Sequence, residues 1–420
     1  MNQIDLGYGQ QSIKFTFDDR LTVLSIDAAA EKPLTDIEIG SALDSPIGSR
    51  PLDELVNPDD SVLLVVSDAT RPTGSAQLIN LIVRRLIQAG VTANKIAIIF
   101  ATGIHRPVTP QEKVDLLTQF IVQRVRTFDH DAYNRDSLVS LGVTEIGIPV
   151  EVNKALTEFS KTILLGGINF HYFAGFTGGR KSICPGLSSA ESIERTHMLA
   201  LDFERGGRKA GVGTGLLDGN VVHEECERVA ELVRPTFGIN TVVDELKRVV
   251  RLYCGDWRLA HRTACDSYLK DHSVAIQTKR ELVIASCGGF PHDINLIQAH
   301  KALEMASYSC HDDGSIILLA ECRDGFGRPD FLKWFESADS AALEQRLVEK
   351  YEVNGQTAWS LLTKAERFNV QLVSDLLDDD VRFMRMQPAR SLEEALKRAG
   401  DYQSGFIMPR GAAVLPRLTS

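Results

Sequence analysis

The sequence predicts two α/β domains, each built on a mainly parallel sheet, with an interdomain active-site cleft. Two observations support this fold class. Short apolar runs of strand length alternate with segments of helical periodicity through most of the 420 residues, a pattern typical of parallel strands joined by right-handed helical crossovers. Polar clusters begin just after several of these runs, and open α/β sheets bind their ligands at the carboxyl ends of the strands.

The first half of the chain contains three strand candidates, SVLLVV (61–66), KIAIIFA (95–101) and KTILLGG (161–167). A helix is predicted after the first strand, with Ser75 as its N-cap and Gly90 as its stop signal. TPQEKVDLL carries a capping-box pattern, and SSAESIERTHMLALDFERG is typical of a capped helix. Strand and helix therefore alternate here as a parallel sheet requires.

The second half repeats the pattern, with strand candidates RELVIAS (280–286), GSIILLAEC (314–322) and NVQLVS (369–374). These elements predict an N-terminal α/β domain over 1–278 and a C-terminal α/β domain over 279–402. The final segment, 403–420, contains Gly and Pro and is predicted to return to the first domain.

Composition excludes several classes of partner. A net charge of -10 and a pI near 5.6 argue against nucleic acid or an anionic membrane surface. No apolar run reaches the roughly 18 residues of a membrane span, and the N-terminus lacks a signal-peptide pattern, so a cytoplasmic location is expected. The seven cysteines are scattered without a CxxC motif, which predicts reduced, mostly buried thiols.

Two polar clusters follow the first two predicted strands. SDATRP contains Asp68 and Arg71, and TGIHRP contains His105. The planar guanidinium of an arginine matches a carboxylate or phosphate bidentately. Each residue also has a structural interpretation, as a capping carboxylate, a surface arginine or a hydrogen-bonded histidine.

The third cluster, HYFAGFTGGRKSICPGL (171–187), contains His171, Arg180 and Lys181 among four glycines. Glycines permit positive φ angles and close backbone approach to a phosphate. The spacing fails the GxxxxGK[ST] pattern, so a Walker-type kinase is disfavoured. Lys181 could instead form a covalent bond to a carbonyl-type carbon, or the stretch could be a turn with solvated cations.

Other candidates lie further along the chain. His197 has no histidine at i+4 and no nearby cysteine, so it is structural or shares a metal with non-protein ligands. Gln298 and Lys301 are spaced to share one helix face, which is also compatible with an exposed helix start. Trp359 fits core packing at least as well as a binding role.

Six features of the sequence together resemble one known family. They are SDATRP, TGIHRP, His171 ten residues before Lys181 in GGRKSICPG, RTHM, LLDGNVVHEE and GGFPHDINLIQAHKAL. The family that they resemble is the nickel-dependent lactate racemase family. The resemblance covers most of the chain and rests on the order and spacing of the motifs. It implies a racemase or epimerase of a 2-hydroxy acid that uses a nickel-pincer nucleotide, a pyridinium mononucleotide whose ring holds nickel through one carbon and two sulfurs.

The resemblance also implies roles for individual residues. His105 and His171 would be catalytic bases, Lys181 the covalent cofactor anchor, and His197 the protein ligand to nickel. The remaining cofactor contacts and the substrate contacts would come from two further sets: Asp68, Thr70, Gly178, Gly179 and Arg180 for the cofactor, and Arg71, Gln298, Lys301 and Trp359 for the substrate.

Two positions depart from the pattern expected of lactate-specific members. Ile297 stands where a tyrosine is expected, and Ala174 where a small hydroxyl residue is expected. Malate or a longer aliphatic hydroxy acid is therefore as good a candidate as lactate. The resemblance implies cofactor-biosynthesis proteins as loading partners, and a homo-oligomer stays an open alternative.

Two other functions remain as alternatives to the racemase. One is a lysine-dependent enzyme without nickel, in which Lys181 forms a Schiff base or the loop handles phosphate. The other is a carrier or sensor that binds the pincer nucleotide without turnover.

Overall fold

A computed structural model describes residues 2–26 and 31–419. The strands are β1 Asn2–Tyr8, β2 Gln11–Phe17, β3 Leu21–Val23, β4 Val62–Ser67, β5 Ile96–Ala101, β6 Arg126–Asp129, β7 Leu138–Val143, β8 Pro149–Asn153, β9 Lys161–Gly167, β10 Phe170–His171, β11 Gly175–Phe176, β12 Phe237–Val243, β13 Val249–Gly255, β14 Ser273–Ile276, β15 Arg280–Ser286, β16 Cys310–Leu319, β17 Asn369–Val373, β18 Gln387–Ala389, β19 Gly405–Met408 and β20 Leu415–Leu418. The helices are α1 Asp36–Asp44, α2 Ser75–Gln88, α3 Pro110–Leu117, α4 Gln119–Val122, α5 Ala155–Glu158, α6 Ala190–Met198, α7 Val221–Val233, α8 Trp257–His272, α9 Leu296–Ser307, α10 Ser340–Glu349, α11 Val353–Arg367, α12 Asp378–Phe383 and α13 Leu392–Ala399. Within these ranges, no helix is long and apolar enough to cross a membrane.

The chain divides into two compact units. Among the described residues, the N-unit comprises 31–200 and 208–269, and the C-unit comprises 2–26, 201–207 and 270–419. The division differs from the predicted one at both ends of the chain, and at the N-terminal end residues 2–26 belong to the C-unit.

The predicted return of 403–420 to the N-terminal domain is also wrong. β19 pairs with β15 and β3, and β20 pairs with β14. All these strands belong to the C-unit. The final strands therefore satisfy their backbone hydrogen bonds inside the C-unit, and pairing of this kind cannot be read from local composition.

The N-unit is built on a six-stranded sheet with the order β13-β12-β9-β4-β5-β6. Every neighbouring pair is parallel except β12 and β13. The predicted strands at β4, β5 and β9 are confirmed, and their central residues are buried. Continuous apolar strands of this kind are expected when helices cover both faces of a parallel sheet.

Helix α2 packs an apolar face into this core. Leu78, Ile82 and Leu86 recur every four residues and are fully buried, and each contributes about 1.5–3 kcal/mol relative to exposure. The predicted N-cap is wrong by one residue: Gly74, at φ 66°, is the cap. The hydroxyl of Ser75 donates instead to the carbonyl of Leu116. The capping box at the start of α3 is confirmed.

The C-unit is built on a second six-stranded sheet, with the order β18-β17-β16-β15-β19-β3 and parallel pairing throughout. The strands predicted at β15 and β17 are confirmed. β16 ends at Leu319, three residues earlier than predicted. The α/β class with mainly parallel sheets is confirmed for both units, whereas the cleft between domains stays a prediction.

Candidate active site

The ends of three neighbouring strands gather the predicted residues of the N-unit. β4 lies between β9 and β5 in the sheet and runs parallel to both. Asp68 follows β4, His105 lies in the loop after β5, and His171 comes four residues after β9. Because parallel neighbours end at the same edge of a sheet, these three loops share one edge.

Asp68 orients His105. The carboxylate is 4% exposed, and its Oδ2 lies 2.7 Å from Nδ1 of His105. Its Oδ1 accepts hydrogen bonds from the backbone N–H and the hydroxyl of Thr70, at 2.9 and 2.6 Å. Burial alone would raise the pKa of Asp68, but the hydrogen bonds from His105 and Thr70 outweigh burial and hold it below its ordinary value.

An ionised Asp68 fixes the proton of neutral His105 on Nδ1 and leaves Nε2 as a proton acceptor. The side chain of His105 is 46% exposed, so Nε2 is open to a small molecule. Both oxygens of Asp68 are thus engaged by His105 and Thr70. We therefore interpret Asp68 and Thr70 as residues that orient His105, and the cofactor contacts expected of them from the sequence stay a prediction.

His171 and Lys181 are in direct contact, with 3.2 Å between Nε2 of His171 and Nζ of Lys181. The other ring nitrogen, Nδ1, accepts from the backbone N–H of Ala174 at 3.2 Å. Because an amide N–H can only donate, Nδ1 is unprotonated and a neutral His171 carries its proton on Nε2. Nε2–H then needs an acceptor, which a neutral lysine amine supplies and an ammonium does not.

The charges of the site agree with this assignment. Burial, followed by the neighbouring cation Arg180 and then Arg71, lowers the pKa of Lys181 to about 7, although the thiol of Cys226 opposes the shift. Burial and the positive charges of Lys181 and Arg71 hold the pKa of His171 well below its ordinary value. Both groups are accordingly available in neutral form near pH 7.

Phe173 joins this pair to His197. Its ring meets His171 edge-to-face at 4.4 Å and His197 edge-to-face at 5.0 Å. Nζ of Lys181 lies 5.3 Å from the centre of the same ring. Sequence reasoning missed Phe173, because an aromatic residue in a loop carries no periodic signal.

His197 lies on α6 and is 7% exposed. Burial and the charge of Lys181 lower the pKa of His197 to about 3, so the ring is neutral, the form that binds metals. Among the described residues, no group of three or more His, Cys, Asp or Glu side chains could hold a metal ion. Any metal at His197 would therefore take most of its ligands from a bound group.

The glycines before Lys181 allow the loop to lie close to its surroundings. Gly178 and Gly179 have φ angles of 78° and 50°, which favour glycine. The N–H of Gly179 donates to Oδ1 of Asn240 at 2.9 Å, and Asn240 is fully buried on β12. Asn240 had no motif to mark it in the sequence.

Arg180 is engaged by two groups of the protein. Its side chain is fully buried, and its guanidinium donates to Nε2 of His261 and to the carbonyl of Ala174, both at 2.8 Å. Its described contacts are within the protein and hold the loop, and the predicted contact with the cofactor stays a prediction.

Positive charge at this edge of the sheet is not balanced by direct ion pairs. Among the described ion pairs, none involves Arg71, Arg180 or Lys181, although acidic residues outnumber basic ones by 56 to 46 in the chain. Arg71 is exposed and contributes to the electrostatic environment of His171. Such a site favours an anion, either a carboxylate or a phosphate.

Three predicted substrate contacts and the specificity position Ile297 lie in the C-unit. Nζ of Lys301 donates to Oε1 of Gln298 at 2.7 Å, so the pair shares one face of α9 as predicted. Trp359 is 3% exposed on α11 and is therefore largely a packing residue. Ile297 is partly buried at the start of α9. Their roles toward a substrate stay predictions.

Comparison with known proteins matches both halves of the chain. Residues 7–207 match the lactate racemase N-terminal domain, and residues 275–415 match the lactate racemase C-terminal domain. The chain is 31% identical to the lactate racemase of Lactiplantibacillus plantarum and 30% identical to that of Thermoanaerobacterium thermosaccharolyticum. In each case the similarity spans 99% of this chain and 100% of the relative.

Solved structures give the same result. The lactate racemase apoprotein from Thermoanaerobacterium thermosaccharolyticum superposes with a TM-score of 0.90 at 29% identity, over 99% of this chain and 100% of that one. A protein from Thermotoga maritima has a TM-score of 0.67 at 21% identity, over 92% of this chain and 99% of that one, and shares the fold.

The full-length relatives place this α/β protein, with its histidines and lysine at the strand ends, among the isomerases. The chain belongs to the lactate racemase family.

Proposed function

We propose that the chain interconverts the stereoisomers of a 2-hydroxy acid, with lactate as the first candidate and malate or a longer aliphatic hydroxy acid as the others. The observation that carries the proposal is the set of groups at one sheet edge. His105 is oriented by Asp68, and neutral His171 lies 3.2 Å from Lys181. The names of the full-length relatives support lactate, whereas Ile297 and Ala174 favour testing other side chains.

The chemistry explains why such a site needs two imidazoles and a cation. The C–H bond beside an ionised carboxylate is poorly acidic, so removal of the hydrogen as hydride, which leaves a planar keto acid, is the easier route. The hydroxyl proton must then go to a base, and each enantiomer presents its hydroxyl differently. Two histidines from different strand ends meet that need, because their ordinary pKa of about 6.5 suits proton exchange near neutrality.

The residues of the N-unit fit these tasks. His105 presents an unprotonated Nε2 and would take up the hydroxyl proton of one enantiomer, with Asp68 stabilising the resulting imidazolium. His171 is neutral and would serve the other enantiomer once a ring nitrogen is freed, because its Nδ1 accepts from Ala174 and its Nε2 carries the proton in this arrangement. Arg71 would bind the substrate carboxylate through its planar guanidinium.

The same residues fit a nickel-pincer nucleotide. Lys181 supplies a neutral amine for a covalent link, and His197 supplies a neutral imidazole for the metal. The backbone at Gly178 and Gly179 would accommodate the nucleotide, and the positive charge of the exposed Arg71 would favour its phosphate. When bound, this group would supply the hydride acceptor through its nickel-bearing pyridinium ring. Cofactor-biosynthesis proteins would be needed to load it.

A substrate screen tests the proposal. The chain would be produced with the cofactor-biosynthesis proteins, checked for nickel, and incubated separately with single enantiomers of lactate, malate and longer 2-hydroxy acids. Chiral chromatography should show the opposite enantiomer accumulating for at least one acid. Nickel-loaded protein that converts none of the panel would contradict the proposal and favour a carrier or sensor.

The neutral amine of Lys181 also favours a second candidate, a nickel-free enzyme that works through a Schiff base. Incubation with a 2-keto acid and borohydride would trap such a species as a mass increase on Lys181. Turnover that persists after nickel is removed, together with this adduct, would select the second candidate over the racemase.

A further inference from the structure

A chain of hydrogen bonds leads from the interior of the N-unit to the amine of Lys181. Arg180 donates to Nε2 of His261 and to the carbonyl of Ala174. The N–H of Ala174 in turn donates to Nδ1 of His171, whose Nε2 faces Lys181. His261 stands at the interior end of this chain, on α8, 81 residues from Arg180 in sequence.

His261 also lies against the glycines that precede Lys181. A Cβ atom added to Gly179 would come within 2.6 Å of Cδ2 of His261, so the loop and the ring fit only because that position is glycine. Nε2 of His261 is 3.1 Å from the carbonyl of Thr177. The ring of His261, which is 2% exposed, thus lies against three residues of the loop, Thr177, Gly179 and Arg180.

The direction of the bond between Arg180 and His261 follows from chemistry. A guanidinium can only donate, so we assign the shorter contact, at 2.8 Å, as a hydrogen bond from Arg180 to an unprotonated Nε2 of His261. The 3.1 Å approach of the same nitrogen to the carbonyl of Thr177 is then a contact without a hydrogen bond. The proton of His261 is on Nδ1, and the sulfur of Cys265 lies 3.4 Å from Nε2 and 3.9 Å from Nδ1. His261 therefore acts as a neutral acceptor for a fully buried arginine for which no direct ion pair with a carboxylate is described.

We propose that His261 is a positioning residue, which accepts a hydrogen bond from Arg180 and thereby holds the loop that orients His171 and Lys181. The inference rests on the role proposed above for Lys181 as the covalent anchor. Without the acceptor, Arg180 loses its fixed position, Ala174 is no longer held at its carbonyl, and the contact between His171 and the lysine amine loosens.

The test measures the reactivity of Lys181 in the cofactor-free, full-length chain. Trinitrobenzenesulfonate reacts with neutral amines, and mass spectrometry of peptides isolates the rate at Lys181. The variant His261→Phe keeps a ring but removes the acceptor. It should slow labelling at pH 7.5 by about tenfold or more, because a lysine that returns toward its ordinary pKa is mostly protonated there.

Two further variants separate positioning from general stability. His261→Gln places an oxygen where Nε2 was and should restore labelling toward the wild-type rate. His223→Phe changes a second buried histidine, stacked 6.3 Å from His261, and should leave the rate unchanged. Labelling of His261→Phe at the wild-type rate would overturn the proposal, as would equal slowing in His261→Gln or His223→Phe.

If His261→Phe does not fold, as judged by circular dichroism, Arg180→Lys tests the contact from the donor side, because it keeps the positive charge that lowers the pKa of Lys181 and removes the forked guanidinium that reaches His261 and Ala174. Labelling of Lys181 should again be slow, and a wild-type rate would overturn the proposal. Because no cofactor or substrate is present, the result stands whether or not the chain proves to be a racemase.

Discussion

Two lysines show how differently the N-unit and the C-unit treat a buried positive charge. Lys364, on α11, is paired: its Nζ lies 2.5 Å from Oε2 of Glu304 and also contacts the carbonyl and hydroxyl of Ser360. Lys181 contacts a neutral histidine, and no ion pair of its amine is described. A cation that serves the fold is compensated inside the protein, whereas Lys181 is held as an amine that can react.

Removing the amine of Lys181 tests this contrast between the two lysines most directly. Lys181→Ala should abolish covalent loading, because it removes the amine that lies 3.2 Å from Nε2 of His171. Intact mass after co-production with the cofactor-biosynthesis proteins should show the unmodified chain, and racemase activity should fall to background. A normal cofactor mass on this variant would refute the anchor.

Loss of either histidine should be nearly as severe for turnover while sparing the cofactor. His105→Ala and His171→Ala should each lower kcat by about 10²- to 10⁴-fold, the usual contribution of a positioned acid or base. Nickel content, measured by inductively coupled plasma mass spectrometry, should stay at the wild-type level. Full turnover in either variant would remove that histidine from the proposed pair.

His197→Ala should act on the metal rather than on proton transfer. Losing a direct ligand should weaken nickel retention by about tenfold or more, since even outer partners of ligands contribute that much. Dialysis against a chelator followed by metal analysis measures the effect. Nickel retained as in the wild type would show that His197 is a packing residue behind Phe173.

A change at the pair of Lys364 and Glu304 should instead affect the stability of the protein. Glu304→Gln leaves Lys364 buried without its counter-charge and should lower the free energy of unfolding by about 3–5 kcal/mol, measured by urea denaturation. Labelling of Lys181 should not change. An unchanged free energy of unfolding would contradict the claim that Lys364 is a structural cation compensated by Glu304.

Much of this arrangement was visible in the sequence, for a physical reason. Strand-length apolar runs and the polar clusters after them depend on local periodicity, so β4, β5 and β9 and the residues at their ends could be placed. His105 and His171 were found in this way, because each lies soon after a strand.

Other features depend on pairing between distant segments. The contacts of Arg180 with His261 and of Gly179 with Asn240 join residues 81 and 61 positions apart, and no local pattern marks them. The same limit explains the misplaced final strands, since β19 finds its partners at β15 and β3. The predicted N-cap of α2 was wrong by one residue. The hydroxyl of Ser75 donates to the carbonyl of Leu116, elsewhere in the N-unit, and so does not cap the helix.

The central claim, that Lys181 is a neutral amine set beside His171, is tested most directly by its titration. The rate of trinitrobenzenesulfonate labelling at Lys181 in the cofactor-free chain would be followed from pH 5 to pH 11. A depressed pKa keeps the amine protonated only at lower pH, so reactivity should rise with a midpoint at about 7. A midpoint near the ordinary lysine value of 10.5 would contradict the account.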